Sequence, residues 1–134
     1  MKRRAMIWVI LALMLTSWAL ASCAPHVDEI VGSWRVVSSE SDIFSPGMVF
    51  EFTSDRDVHI SVGTAAWTEE QRQTFEDASA DIDMTYTINA NGDFRLTLDR
   101  GAQGSNIVRM HYELNDDVLT ITDAEGLTLT FRRM

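Results

Sequence analysis

Apolar and polar residues alternate in eight separate runs along the last hundred residues, a pattern that buries one face of a β-strand and leaves the other in water. The inward phase is Trp34 and Val36 in the first run, Met48, Phe50 and Phe52 in the second, and Val58, Ile60 and Val62 in the third. Met84, Tyr86 and Ile88 follow in the fourth, and Phe94, Leu96 and Leu98 in the fifth, with Asn91-Gly92 between them as a tight-hairpin signal. Val108, Met110, Tyr112 and Leu114 mark the sixth, Leu119 and Ile121 the seventh, and Leu127, Leu129 and Phe131 the eighth. The opposite phase is rich in threonine (Thr85, Thr87, Thr97, Thr120, Thr122, Thr128, Thr130), which suits a solvated pleated surface.

The period changes once, between the third and fourth runs. Thr68 with Gln71 three residues on is a capping box, Glu69 and Glu70 fall in the first turn where the helix dipole favours acids, and neither Gly nor Pro interrupts through Ala80. One short helix is expected, with a thin apolar stripe of Phe75 and Ala78 beside Trp67, so it should lie on the sheet and not inside a core. A single antiparallel sheet of this length exposes two edges unless it closes, and eight strands suffice for a small barrel. The expected fold is therefore all-β with one short helix, an eight-stranded antiparallel up-and-down barrel; a curved α+β sheet with the helix across its open face is the runner-up.

In an up-and-down barrel successive connections alternate between two ends. Segments 38–47, 64–83, 99–106 and 123–126 fall at one end, and the tight turns 54–57, 89–93 and 115–117 at the other. The long segments predict an open mouth, overlaid by the helix, and the short ones a closed end.

The N-terminus has a different texture. Lys2, Arg3 and Arg4 precede an uncharged run from Ala5 to Leu20, the layout of an export signal and too short for a comfortable membrane span. Leu20-Ala21-Ser22-Cys23 resembles the lipobox of bacterial lipoproteins. That resemblance implies cleavage after Ser22, acyl chains such as palmitate on Cys23, and a membrane anchor. Ala24 in place of an Asp implies the outer membrane, facing the periplasm, if the cell is Gram-negative. Residues 1–22 then form a removed signal peptide, 23–29 a lipidated tether and 30–134 the barrel domain. A tether of six residues after Cys23 spans at most about 20 Å, keeping the domain close to the bilayer.

Charge narrows the partners. All 20 acidic residues follow Cys23, while eight of the 11 basic ones do, giving residues 23–134 a formal charge of −12. Nucleic acid is excluded on that ground, and a basic envelope protein is the natural electrostatic partner. With Cys23 acylated no thiol remains for a disulfide.

Gly32-Ser33-Trp34 matches the G-x-W opening of the lipocalin-like (calycin) superfamily, in which an Arg near the chain end packs on the Trp; Arg132 or Arg133 is placed for that role. The stretch 112–119 also resembles the strand-turn-strand of lipocalin-like bacterial lipoproteins. The resemblance implies a small hydrophobic ligand.

No catalytic constellation, metal-ligand spacing or cofactor motif appears. His26, His59 and His111 are scattered, no serine sits in a nucleophile elbow, and no Gly-rich phosphate loop is present, so the expectation is a protein that is not an enzyme and carries no cofactor or metal. Two functions remain open. In the first, a small apolar ligand enters past Ile43, Phe44, Trp67 and Phe75, apolar residues in long loops, which could equally plug the barrel end. In the second, a filled barrel with an acidic surface serves as a protein-interaction or envelope-structural module. Against a fatty-acid site, Arg35, Arg95 and Arg109 all fall on the outward phase.

Overall fold

A computed structural model describes residues 29–134. The signal segment 1–22, Cys23, the tether up to residue 28 and His26 lie outside the described residues.

Eight strands form one antiparallel sheet: β1 Gly32–Ser39, β2 Val49–Phe52, β3 Val58–Ser61, β4 Asp83–Ile88, β5 Asp93–Asp99, β6 Ser105–Asn115, β7 Val118–Thr122 and β8 Thr128–Arg133. Their order across the sheet is β3-β2-β1-β8-β7-β6-β5-β4, an up-and-down meander that begins in the middle because β1 pairs with both β2 and β8. Strands β3 and β4 would be edges in an open sheet. They meet instead through an antiparallel bridge of Asp57 to Thr85 and a bond from the Tyr86 N–H to the Arg56 carbonyl at 2.9 Å. The result is the nearly closed lipocalin-like barrel, and the open α+β sheet is excluded.

The alternation holds where the strands pair on both sides. Trp34, Val36, Phe50, Phe52, Val58, Tyr86, Phe94, Tyr112, Leu119, Ile121, Leu129 and Phe131 are buried, as are Met48 and Val62 just beyond the ends of β2 and β3. Val108 and Leu127 depart from the expectation of full burial, each 37 % exposed. Both keep the inward phase but sit at an open rim. In β1 the ladder to β8 slips between Val36 and Ser38, a bulge that leaves Val37 and Ser38 both exposed and lets the strand bend around the barrel.

Helix α1, Glu69–Ser79, forms where the capping box places it: Thr68 Oγ1 accepts from the Gln71 N–H at 3.2 Å and Gln71 Oε1 accepts from the Thr68 N–H at 2.9 Å. None of its residues is buried. Phe75 is half-buried, edge-on to Trp67 at 5.7 Å, but Ala78 is exposed, so the apolar stripe is narrower than its sequence suggests. Arg72 fastens the helix to the chain before it, donating to the carbonyls of Ala65 at 2.8 Å and Gly63 at 3.2 Å. Among the described residues no helix is long and apolar enough to cross a membrane.

The 40–48 and 62–68 segments are joined by backbone. The Thr64 N–H donates to the Gly47 carbonyl at 3.0 Å, and a Cβ on Gly47, whose φ is +97°, would come within 2.6 Å of the Ala65 nitrogen. Only glycine permits that approach.

Candidate functional site

The two ends of the barrel are built differently. Connections 53–57, 89–92 and 116–117 meet at one end; 40–48, 62–82, 100–104 and 123–127 meet at the other. Within individual strands the side-chain type follows this division. In five strands the half toward the short turns carries a buried inward aromatic, Phe52 on β2, Tyr86 on β4, Phe94 on β5, Tyr112 on β6 and Phe131 on β8, with Ile88 and Leu114 packed beside the turns themselves. Toward the long loops the same strands or their extensions carry Met48, Met84, Leu98, Val108 and Leu127.

The short-turn end is sealed. Phe52 lies edge-on to Tyr86 at 5.1 Å and to Phe94 at 5.9 Å, Tyr86 stacks on Phe94 at 6.0 Å, and Phe50 meets Phe131 at 4.9 Å. Such edge-to-face and offset-stacked pairs add to area burial because they set the electropositive ring edge against a neighbour's electron-rich face. Each short turn is also tied down. Tyr86 Oη donates to the Thr53 carbonyl at 2.9 Å, and Tyr112 Oη donates to the Asn89 carbonyl at 2.8 Å. At the third turn the Arg133 N–H donates to the Asp117 carbonyl at 2.9 Å. Burial, and secondarily the negative charge of Glu29, raises the pKa of Tyr112 above its ordinary value, which keeps the phenol protonated as a donor.

The turn between β4 and β5 comprises Ala90, Asn91 and Gly92, closed by the Asn89 N–H on the Asp93 carbonyl at 3.1 Å. Asn89 Oδ1 takes the N–H groups of Asn91 and Asp93 at 3.0 and 3.1 Å. Gly92, at φ +87°, supplies the left-handed residue that a three-residue hairpin loop needs.

Trp34 is 0 % exposed and donates its Nε1–H to the Ile30 carbonyl at 2.8 Å, fixing the entry of the chain into β1. Arg133 lies over the indole, its guanidinium carbon 4.3 Å from the ring centroid, and also donates to the carbonyls of Val31 at 3.2 Å and Glu29. Trp34 and Arg133 are register partners, so the contact is made by Arg133. Arg132 is exposed on the outer face opposite Arg35. Gly32, at φ +138°, leaves room for the guanidinium, since a Cβ there would lie 3.1 Å from it.

The long-loop end holds a cavity of about 300 Å³. Phe50, Phe52, Phe94 and Ile121 form its floor, the upper face of the aromatic seal. Its walls include Ile60, Met84, Leu96, Leu98 and Met110, and its rim Val108, Leu127, Ile43 and Phe44. Phe44 stands edge-on to Phe50 at 5.2 Å. The polar lining residues are Ser41 and Asp123, and no lining residue is basic. Arg35, Arg95 and Arg109 are exposed on the outside.

The four loop residues singled out in the sequence divide into two pairs. Ile43, 67 % exposed, and Phe44 stand at the cavity. Trp67 and Phe75 do not line it; with Ile43 and the helix residues Glu70, Gln71 and Thr74 they border a separate shallow depression. Trp67 is held there by its Nε1–H bond to Ser45 Oγ at 2.9 Å. No residue of α1 lines the cavity; the helix residues and the cavity rim share only Ile43, which borders both hollows. Sequence reasoning missed Ser41 and Asp123, short polar residues in loops whose inward placement depends on loop conformation.

His59 and His111 are exposed, and among the described residues no group of three or more His, Cys, Asp or Glu side chains converges to hold a metal. Fold and cavity together define a calyx, a cup sealed at one end by aromatic residues and open at the other. No protein-family model matches the chain, and no curated protein is significantly similar to it.

Proposed function

We propose that residues 23–134 form a lipid-anchored envelope lipoprotein of the lipocalin-like type, which takes a small hydrophobic molecule into the open end of its barrel. The observation that carries the ligand reading is the apolar cavity of about 300 Å³. That volume is at the lower limit of ligand pockets, which span about 300–1,000 Å³, and such pockets combine apolar walls with a few polar groups. The open volume favours this reading over a filled barrel that presents only an acidic surface to a basic envelope protein.

The anchoring reading rests on the basic start, the uncharged run and Leu20-Ala21-Ser22-Cys23. Several acyl chains on one residue hold a protein stably, because each buried methylene contributes about 0.8 kcal/mol. The chain enters the barrel at the sealed end, where Ile30 and Trp34 are bonded. A tether from Cys23 therefore directs the open end away from the bilayer, and Ala24 makes the periplasmic face of the outer membrane the expected site in a Gram-negative cell.

Native mass spectrometry of the acyl-free barrel domain isolated from its host tests the ligand reading. A bound apolar mass that disappears in Leu96→Trp, which fills the cavity, is the expected result; a ligand-free barrel that captures a basic protein supports the interaction module instead. For the anchor, Cys23→Ser should abolish incorporation of labelled palmitate, and retained labelling refutes it.

A further inference from the structure

Building on the ligand reading, we infer that the cavity selects amphiphiles with an uncharged or cationic head and a tail of about ten carbons, and discriminates against carboxylates. The cavity volume is about 300 Å³; at about 30 Å³ per water-sized group it holds on the order of ten such groups. Its floor and walls offer no polar partner, so a head group must remain at the rim, beside Ser41 and Asp123.

The rim is one-signed. Asp123 Oδ1 accepts from the N–H groups of Glu125 and Leu127, both at 2.9 Å, which holds the carboxylate in the 123–127 turn. Glu40 Oε2 accepts from the Thr128 N–H at 3.0 Å and so stands beside the same turn, with Asp42 exposed one residue beyond Ser41. The cations of the open end face elsewhere: Arg72 is bonded to the Gly63 and Ala65 carbonyls, and Arg100 is exposed in the β5–β6 loop and does not line the cavity. The only lysine of the chain is Lys2.

A carboxylate head would be desolvated beside Asp123 without a counter-ion, an arrangement that disfavours a charged group. An alcohol can donate to the Asp123 carboxylate, and an ammonium gains its charge as well.

The test uses the barrel domain beginning at Ala24, whose core lies wholly between Ile30 and Phe131. Decan-1-ol, decylamine and decanoate share one tail and differ in the head. Calorimetric titration at neutral pH should show the alcohol and amine binding at least tenfold tighter than decanoate. Asp123→Asn keeps the Oδ1 acceptor for the turn and removes the charge, so it should narrow the amine–decanoate gap severalfold at an unchanged melting temperature. Decanoate binding as tightly as the other two, or a gap that Asp123→Asn leaves untouched, overturns the selectivity while the cavity stands as a ligand site. Binding of none of the three overturns the selectivity and the ligand reading together.

Discussion

The sealed and open ends of this barrel are made from the same eight strands, yet one is a packed aromatic core and the other a cup. At the sealed end each turn is short and bonded to a side chain or to the last strand, and the rings of Phe52, Tyr86 and Phe94 touch one another. At the open end the loops are long, and the inward strand side chains are Met, Leu, Ile and Val, which with Phe44 from a loop leave a cavity between them. Rigidity and capacity are thus separated along the barrel axis. A molecule entering the cup need not disturb the contacts that hold the fold.

The separation is most severely tested by Trp34→Ala. Removing a fully buried indole and its contact with Arg133 should cost roughly 3–5 kcal/mol, read as a loss of stability in urea unfolding. A loss below about 1 kcal/mol would mean that the sealed end does not carry the fold. Next is Tyr86→Phe, which removes the bond to the Thr53 carbonyl and should cost about 1 kcal/mol with the barrel otherwise intact. Leu127→Ala at the open rim should change stability by about 0.5 kcal/mol or less while weakening uptake of an apolar probe. If stability fell as far as in Trp34→Ala, the two ends would form one core.

The smallest expected effect is a pH dependence. Burial raises the folded-state pKa of Tyr112 above the ordinary tyrosine value of about 10, so its contribution to stability is full below that value and is lost as pH rises through the folded pKa. Thermal unfolding followed upward from pH 9 should show a decline that Tyr112→Phe removes; an identical decline in the variant would assign it to other groups.

Much of this arrangement was legible beforehand because it depends on period and parity. Alternation located the strands, the Thr68–Gln71 box located the helix start, and the alternation of loop lengths located the mouth. The choice between Arg132 and Arg133 was also within reach, since Arg133 shares the inward phase of Phe131 whereas Arg132 does not. The drift from aromatic to aliphatic side chains within single strands, as from Phe94 through Leu96 to Leu98, was the available sign of a cup. Bulk at every inward position hid it, because cavity volume depends on the width of the closed barrel as well as on side-chain size. Two features had no local signal. The meeting of β3 with β4 through Asp57 and Thr85 is set by closure of the whole sheet, and the absence of α1 from the cavity lining goes with the fastening of Arg72 and Trp67 to the preceding segments.

The placement of β1 between β2 and β8 has a mechanical consequence. A pull on the N-terminal segment along the strand loads the β1–β2 and β1–β8 ladders together, in shear, and the Arg133 clamp on Glu29 and Val31 lies at the point where the force arrives. Hydrogen bonds arranged side by side along a sheared strand must break together, whereas a peeled strand releases them one at a time. A domain tethered through this end would resist drag or crowding on its anchor, and the load would reach the cup last.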